Sequence, residues 1–89
     1  MIQLTKVAAV EYARDGIRVN AVSPGVIMTP FHERFSTAEQ LTVQRATIPM
    51  QRLGAAEECV GAFLYLASSQ MSSYVTGQMI EVNGGQFMP

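Results

Sequence analysis

Few side chains in this sequence could do covalent or acid–base chemistry: one histidine, His32, one cysteine, Cys59, and three tyrosines, Tyr12, Tyr65 and Tyr74. Cys59 has no second cysteine to pair with, so it reads as a small core residue suited to a reducing compartment. The main chain offers more. Ile17, Val19 and Val22 favour a pleated strand, and Ser23, standing before a proline, is pushed out of the helical region. Pro24 cannot donate to a sheet ladder, so the strand must stop there, and Gly25 can take a positive φ or let another molecule approach the backbone. A strand end with bare backbone groups suits a ligand, because ligands of open α/β sheets sit beyond the carboxyl ends of the strands. The bend at Pro24 and Gly25 is the first candidate site.

The elements that must position this bend follow from periodicity. Residues 1–15 read as a helix that stops at Gly16, with Arg14 in its last turn. Met1, Ile2, Ala8, Ala9, Tyr12 and Ala13 make one apolar arc, while Leu4, Val7 and Val10 form a second seam, so the helix is expected to be covered on two sides. Met1 enters the periodic pattern with no capping residue before it, as though the chain began in mid-element. After the strand comes an irregular, partly aromatic segment, then a helix that Ser36 and Glu39 would open as a capping box and that should end before Pro49. This segment reads either as a lid hung on the strand end or as a surface helix packing Leu41, Val43 and Ile48 inward. Residues 56–68 form a third helix, with Glu57 and Glu58 at its positive end and apolar side chains nearly all round. Residues 78–83 alternate as a last strand, followed by an Asn83-Gly84-Gly85 turn. Strand, crossover helix and strand make a right-handed parallel βαβ unit. Parallel strands need cover on both faces, so the chain looks like the end of a larger α/β sheet.

Bulk composition narrows the function classes. The 89 residues make one small domain at most, yet 48% are apolar and 15% charged, more hydrophobic than a small core needs. Some of that surface is expected to meet a partner. A net charge of −1 without a basic patch argues against nucleic acid or an anionic membrane. No apolar run is long enough to span a bilayer and no secretory leader is visible, so a soluble cytoplasmic protein is expected. No repeat, low-complexity tract or linker divides the chain, and no metal site is expected.

With these residues in hand, the chain resembles the C-terminal part of the short-chain dehydrogenase/reductase family, among its members those acting like 3-oxoacyl-ACP reductases or sugar and polyol dehydrogenases. The resemblance runs the whole length. It rests on Gly16-Ile17-Arg18-Val19-Asn20-Ala21-Val22-Ser23-Pro24-Gly25 with Ile27 and Thr29, on Arg52-Leu53-Gly54 with Glu57-Glu58, on Tyr74-Val75-Thr76-Gly77-Gln78, and on Val82-Asn83-Gly84-Gly85. It implies an α/β fold, the C-terminal portion of a Rossmann-like doubly wound parallel sheet, with residues 1–89 as a single partial NAD(P)-binding domain. It also implies an oxidoreductase that moves a hydride between NAD or NADP and an alcohol or ketone. Pro24 and Gly25 would then turn beside the nicotinamide, the Ile27 main chain would pair with its carboxamide, and the Thr29 side chain would bond that amide or a nearby phosphate. A carboxamide has one acceptor and two donors, which a strand end can satisfy while fixing the ring face. Residues 28–48 would be the substrate loop, with Met28, Phe31, His32 and Phe35 lining or covering the pocket.

The departures from the family pattern carry equal weight. Its Gly-rich pyrophosphate turn, Asn-Asn-Ala-Gly segment, catalytic Ser and Tyr-x-x-x-Lys pair all belong upstream of these residues, so no catalytic residue is expected here. Tyr12, Tyr65 and Tyr74 are followed four residues on by Gly16, Ser69 and Gln78, and none has a lysine to lower its pKa. Ala55-Ala56 stands where the family often has a capping residue and proline, which should soften the start of the third helix. Two functions follow. One is a piece of an NAD(P)-dependent oxidoreductase, inactive by itself. The other is a non-catalytic binding or oligomerisation module that docks on a full-length relative, with a homo-oligomer formed through helices 1–15 and 56–68.

Overall fold

The computed structural model describes residues 2–30, 34 and 36–89. Helix α1 runs over Ile2–Tyr12, tightens into a single 3-10 turn over Ala13–Asp15, and stops at Gly16, whose φ of 73° is left-handed. The expected stop is therefore met by the residue type that tolerates it. The strand is shorter than Ile17 to Pro30 suggests. Strand β1 is Ala21–Pro24, and a separate two-residue strand, β2, is Ile27–Met28. Helix α2 covers Ala38–Ala46, β3 is Gly54–Ala55, α3 is Glu57–Ala67, and β4 is Met79–Val82.

Two parallel pairs result. β1 lies beside β4, with Ala21 opposite Met79 and Pro24 opposite Val82, and β2 lies beside β3, with Ile27 opposite Gly54. The βαβ unit read from the sequence is present as β1–α3–β4. The β2–β3 pair was not foreseen, since two residues are too few to show a period.

Capping differs by one position. Thr37, not Ser36, caps α2: its side chain accepts from the Gln40 amide at 3.1 Å, and the Thr37 amide donates to Gln40 Oε1 at 2.8 Å. Ser36 to Glu39 and Thr37 to Gln40 satisfy the same spacing rule, so sequence alone does not choose between them. At α3 the missing cap is replaced. Ala56 offers no side-chain cap, but the Ala55 amide donates to Glu58 Oε1 at 2.9 Å.

Little is buried. Ala9, Ile48, Cys59 and Ser72 are the buried side chains among the described residues. In the first helix Ala9 is buried and Thr5 and Ala8 are half-buried; its second seam stays open, with Leu4 70%, Val7 59% and Val10 78% exposed. The third helix packs Cys59 inward but leaves Val60, Phe63 and Leu64 exposed, contrary to burial on more than one side. Val43 also points outward, while Ile48 is buried and Leu41 half-buried. An accessible surface of 6608 Å² compares with about 5,100 Å² for a compact monomer of this mass. The radius of gyration, 15.8 Å, likewise exceeds the roughly 12 Å of a compact chain of this length.

Candidate functional site

A network of side-chain bonds holds the entry to β1. Arg18 Nη1 donates to Ser72 Oγ at 2.9 Å, the Val19 amide to Thr76 Oγ1 at 3.1 Å, and Asn20 Nδ2 to the Val75 carbonyl at 2.9 Å. The Gln78 amide donates to Asn20 Oδ1 at 3.0 Å, and the Gly77 amide to the Val19 carbonyl at 2.8 Å. Residues 17–20 are not part of a strand: the Val19 amide is satisfied by the Thr76 side chain and its carbonyl by the Gly77 amide, while the Asn20 side chain bridges the backbone of Val75 and Gln78. The motif residues Arg18, Asn20 and Thr76 are the parts that make this register. Ser72 is their buried anchor, accepting from Arg18 while its hydroxyl lies within hydrogen-bond range of the Ser68 and Leu66 carbonyls.

The bend itself is set by close packing. The Gly25 amide donates to the Val82 carbonyl at 2.8 Å, the last bond of the β1–β4 ladder. Gly25 does not have positive φ. A Cβ built on it would stand 2.6 Å from Asn83 Cβ and 2.8 Å from Asn83 Cα. Glycine is required here by the neighbouring strand end, a different reason from the conformational freedom the sequence suggested. Asn83 is itself fixed, with Nδ2 donating to the Phe87 carbonyl and Oδ1 accepting from the Gly85 amide.

Beyond the bend the chain changes partner. The Gly54 amide donates to the Val26 carbonyl at 3.0 Å. Successive strand residues direct their backbone groups to opposite sides, so the N–H and C=O of Ile27 face away from β3. Among the described residues no strand pairs with β2 on that side. One donor and one acceptor thus stand on an open edge directly after the bend, which is the arrangement a primary carboxamide complements. Met28 and Thr29 follow half-buried, and Pro24 is exposed. Phe31, His32 and Phe35 lie outside the described residues.

A cleft of about 330 Å³ is lined by Ile27, Gly54, Arg52, Glu58, Glu81 and the Val82–Gly85 turn, among others. Of the expected site residues that the structure describes, Ile27 reaches it. Arg52 grips Glu58 through two parallel bonds of 2.7 and 2.8 Å. The Arg52 guanidinium first, and the Ala55 amide second, lower the Glu58 carboxyl to about 2, and Arg52 is raised in turn. This pair ties the residues before β3 to the first turn of α3. The sequence signal was there in Arg52 and Glu58, yet their separation does not by itself say that they meet.

Cys59 is buried, and no group of three or more metal-ligating side chains occurs among the described residues. No helix among them is long and apolar enough to cross a membrane.

Residues 1–86 match the family model described as enoyl-(acyl carrier protein) reductase. The chain belongs to the short-chain dehydrogenase/reductase family. It is 47% identical over 83 residues to 3beta-hydroxysteroid dehydrogenase 1 of Eggerthella lenta, covering 92% of this chain and 31% of that protein. It is 44% identical over 88 residues to a 3-oxoacyl-(acyl-carrier-protein) reductase of Buchnera aphidicola, covering 99% of this chain and 35% of that one. Among solved structures, a short-chain type dehydrogenase/reductase of Mycobacterium marinum superposes with a TM-score of 0.84 at 45% identity, over 99% of this chain and 34% of its own. The α/β arrangement is thus the family's Rossmann-type fold over the part covered. The chain spans about a third of the length of the curated relatives it matches.

Proposed function

We propose that this chain is the nicotinamide-side and substrate-loop portion of an NAD(P)-dependent oxidoreductase acting on an alcohol or ketone, and that it does not catalyse by itself. The observation that supports this most directly is the open edge at Ile27, placed by the Pro24–Gly25 bend at the carboxyl end of a parallel strand. The Ile27 N–H and C=O would hold a nicotinamide carboxamide, and Thr29 would add a hydroxyl beside it. NAD or NADP, when bound, supplies the hydride. The chain's own part is to fix which face of the ring is presented and to keep water out with the segment that begins at Met28. The side chains at the bend, Pro24, Gly25, Ile27 and Thr29, include no general acid or base, so proton transfer would come from residues outside the bend.

A chimera tests the reading: the matching segment of the Buchnera reductase is replaced by this chain, and turnover of NADPH or NADH is followed. The chimera should turn over, Ile27→Pro should lower its kcat/KM about tenfold by removing one donor from the edge, and residues 1–89 alone should show no saturable oxidation. Saturable turnover by the isolated chain sinks the proposal. The exposed seams on α1 and α3 support a second reading, a binding or oligomerisation module using residues 1–15 and 56–68. Sedimentation of the isolated chain tests it, since a monodisperse folded monomer contradicts that role.

A further inference from the structure

The strand that carries the Ile27 edge is two residues long, and so is its partner, which is too little ladder to fix its own position. Glu58 supplies the hold. Its Oε1 accepts from Arg52 Nη1 at 2.7 Å and from the Ala55 amide at 2.9 Å, while Oε2 accepts from Arg52 Nη2 at 2.8 Å. One carboxylate on the first turn of α3 therefore grips β3 at Ala55 and the chain entering β3 at Arg52. The next contacts in line reach β2. The Gly54 amide donates to the Val26 carbonyl at 3.0 Å, and a Cβ on Gly54 would stand 2.8 Å from Ile27 Cδ1, so the Ile27 side chain packs directly on β3. Arg52 and Glu58 also line the cleft that Ile27 lines.

We infer that Arg52 and Glu58 are positioning residues for the nicotinamide end of the site: by fixing β3 they fix the Ile27 edge that pairs with it, and so set affinity for the carboxamide-bearing ring without touching it. This rests on the proposal above and names a further part of the same site. Two observations support it besides the chain of bonds. First, the pair is half-exposed, and an exposed ion pair adds little to stability. What a bidentate fork adds is direction, because two parallel bonds fix an angle as well as a distance. Second, the turn that delivers Arg52 is strained. Gln51 has a left-handed φ of 59°, and its turn is tied by the Gln51 amide to the Ile48 carbonyl at 2.8 Å and by the Met50 amide to the Gly84 carbonyl at 3.1 Å. A residue other than glycine keeps such a conformation where its surroundings over-determine it, and such places gather at sites whose geometry matters.

The test uses the chimera, titrated with NADH or NADPH and with the corresponding ADP-ribose, which lacks the nicotinamide ring. Glu58→Ala should weaken the intact dinucleotide about fivefold and leave the ADP-ribose affinity within about twofold of the parent. Arg52→Lys keeps the charge and the bond from Ala55 to Glu58 but loses the fork, and it should weaken the dinucleotide about threefold with the same selectivity. In both variants, without ligand, the Gly54 amide should exchange faster by about the same factors. Equal losses for dinucleotide and ADP-ribose, or a Gly54 amide that exchanges as in the parent, overturn the inference. A faster Gly54 amide in a chimera whose Ile27→Pro variant binds the dinucleotide as the parent does would sink the functional proposal and leave the hold of Arg52 and Glu58 on β2 and β3 standing.

Discussion

The two flanks of the bend are held in opposite ways. Upstream, Arg18, Val19 and Asn20 bond to partners 54 to 58 residues away in sequence, Ser72, Val75, Thr76 and Gln78. Downstream, the bonds of α2 reach three or four residues: Thr37 with Gln40, Thr42 with Ala38, Arg45 with Thr42, Thr47 with Gln44. Longer ties follow α2, where Gln86 Nε2 donates to Thr47 Oγ1 and the Met50 amide to the Gly84 carbonyl. The stretch that leads into the bend is thus fixed by non-local bonds, and α2 by local ones. Loops on a rigid scaffold are where recognition varies most easily.

Substitutions can break this contrast, and the chimera described above provides a whole subunit in which to measure them. Gly25→Ala should have the largest effect, because the new Cβ meets the Asn83 backbone at 2.8 Å and neither strand end can move without opening the last ladder bond. Urea unfolding should show a loss of about 3 kcal/mol. Ser72→Ala removes the buried hydroxyl that receives Arg18, and a loss of about 2 kcal/mol is expected, with nucleotide binding weakened in step. Thr37→Ala removes one half of the capping box on α2 and should cost about 1 kcal/mol of local helix stability while leaving nucleotide affinity unchanged. Equal effects of Ser72→Ala and Thr37→Ala on affinity would erase the distinction between the two flanks.

The smallest effect concerns pH. Glu58 is held at about 2 in the folded chain, below the ordinary carboxylate value of 4.5. Its contribution is therefore complete above pH 4.5 and is lost as pH falls from there through about 2. Because the pair is exposed, the change is modest. Melting curves at pH 5 and pH 2 should differ less in Glu58→Gln than in the parent.

How much of this was legible follows the same division. Element types, the parallel β1–α3–β4 unit and the glycine stop at Gly16 could be read because apolar periodicity and turn residues carry them. The bend at Pro24 and Gly25 was legible as a place. The reason for Gly25 was not, since contact with Asn83 is made across nearly sixty residues of sequence. The β2–β3 pair, the Arg52–Glu58 clamp and the substitution of Glu58 for a helix cap all depend on which distant groups meet. The degree of burial was misread for the same reason: apolar seams on α1 and α3 show that cover is wanted, not that this chain supplies it.

One titration tests the central claim that the chain carries half of a nicotinamide site and cannot hold the cofactor alone. NADH and NADPH are titrated into residues 1–89, into the chimera and into the chimera with Ile27→Pro, following bound-nucleotide fluorescence. The account predicts no saturation for the isolated chain up to about 1 mM, saturable binding of one nucleotide by the chimera, and about tenfold weaker binding in the variant. Micromolar binding by residues 1–89, or equal affinity in the chimera and its Ile27→Pro variant, would contradict it.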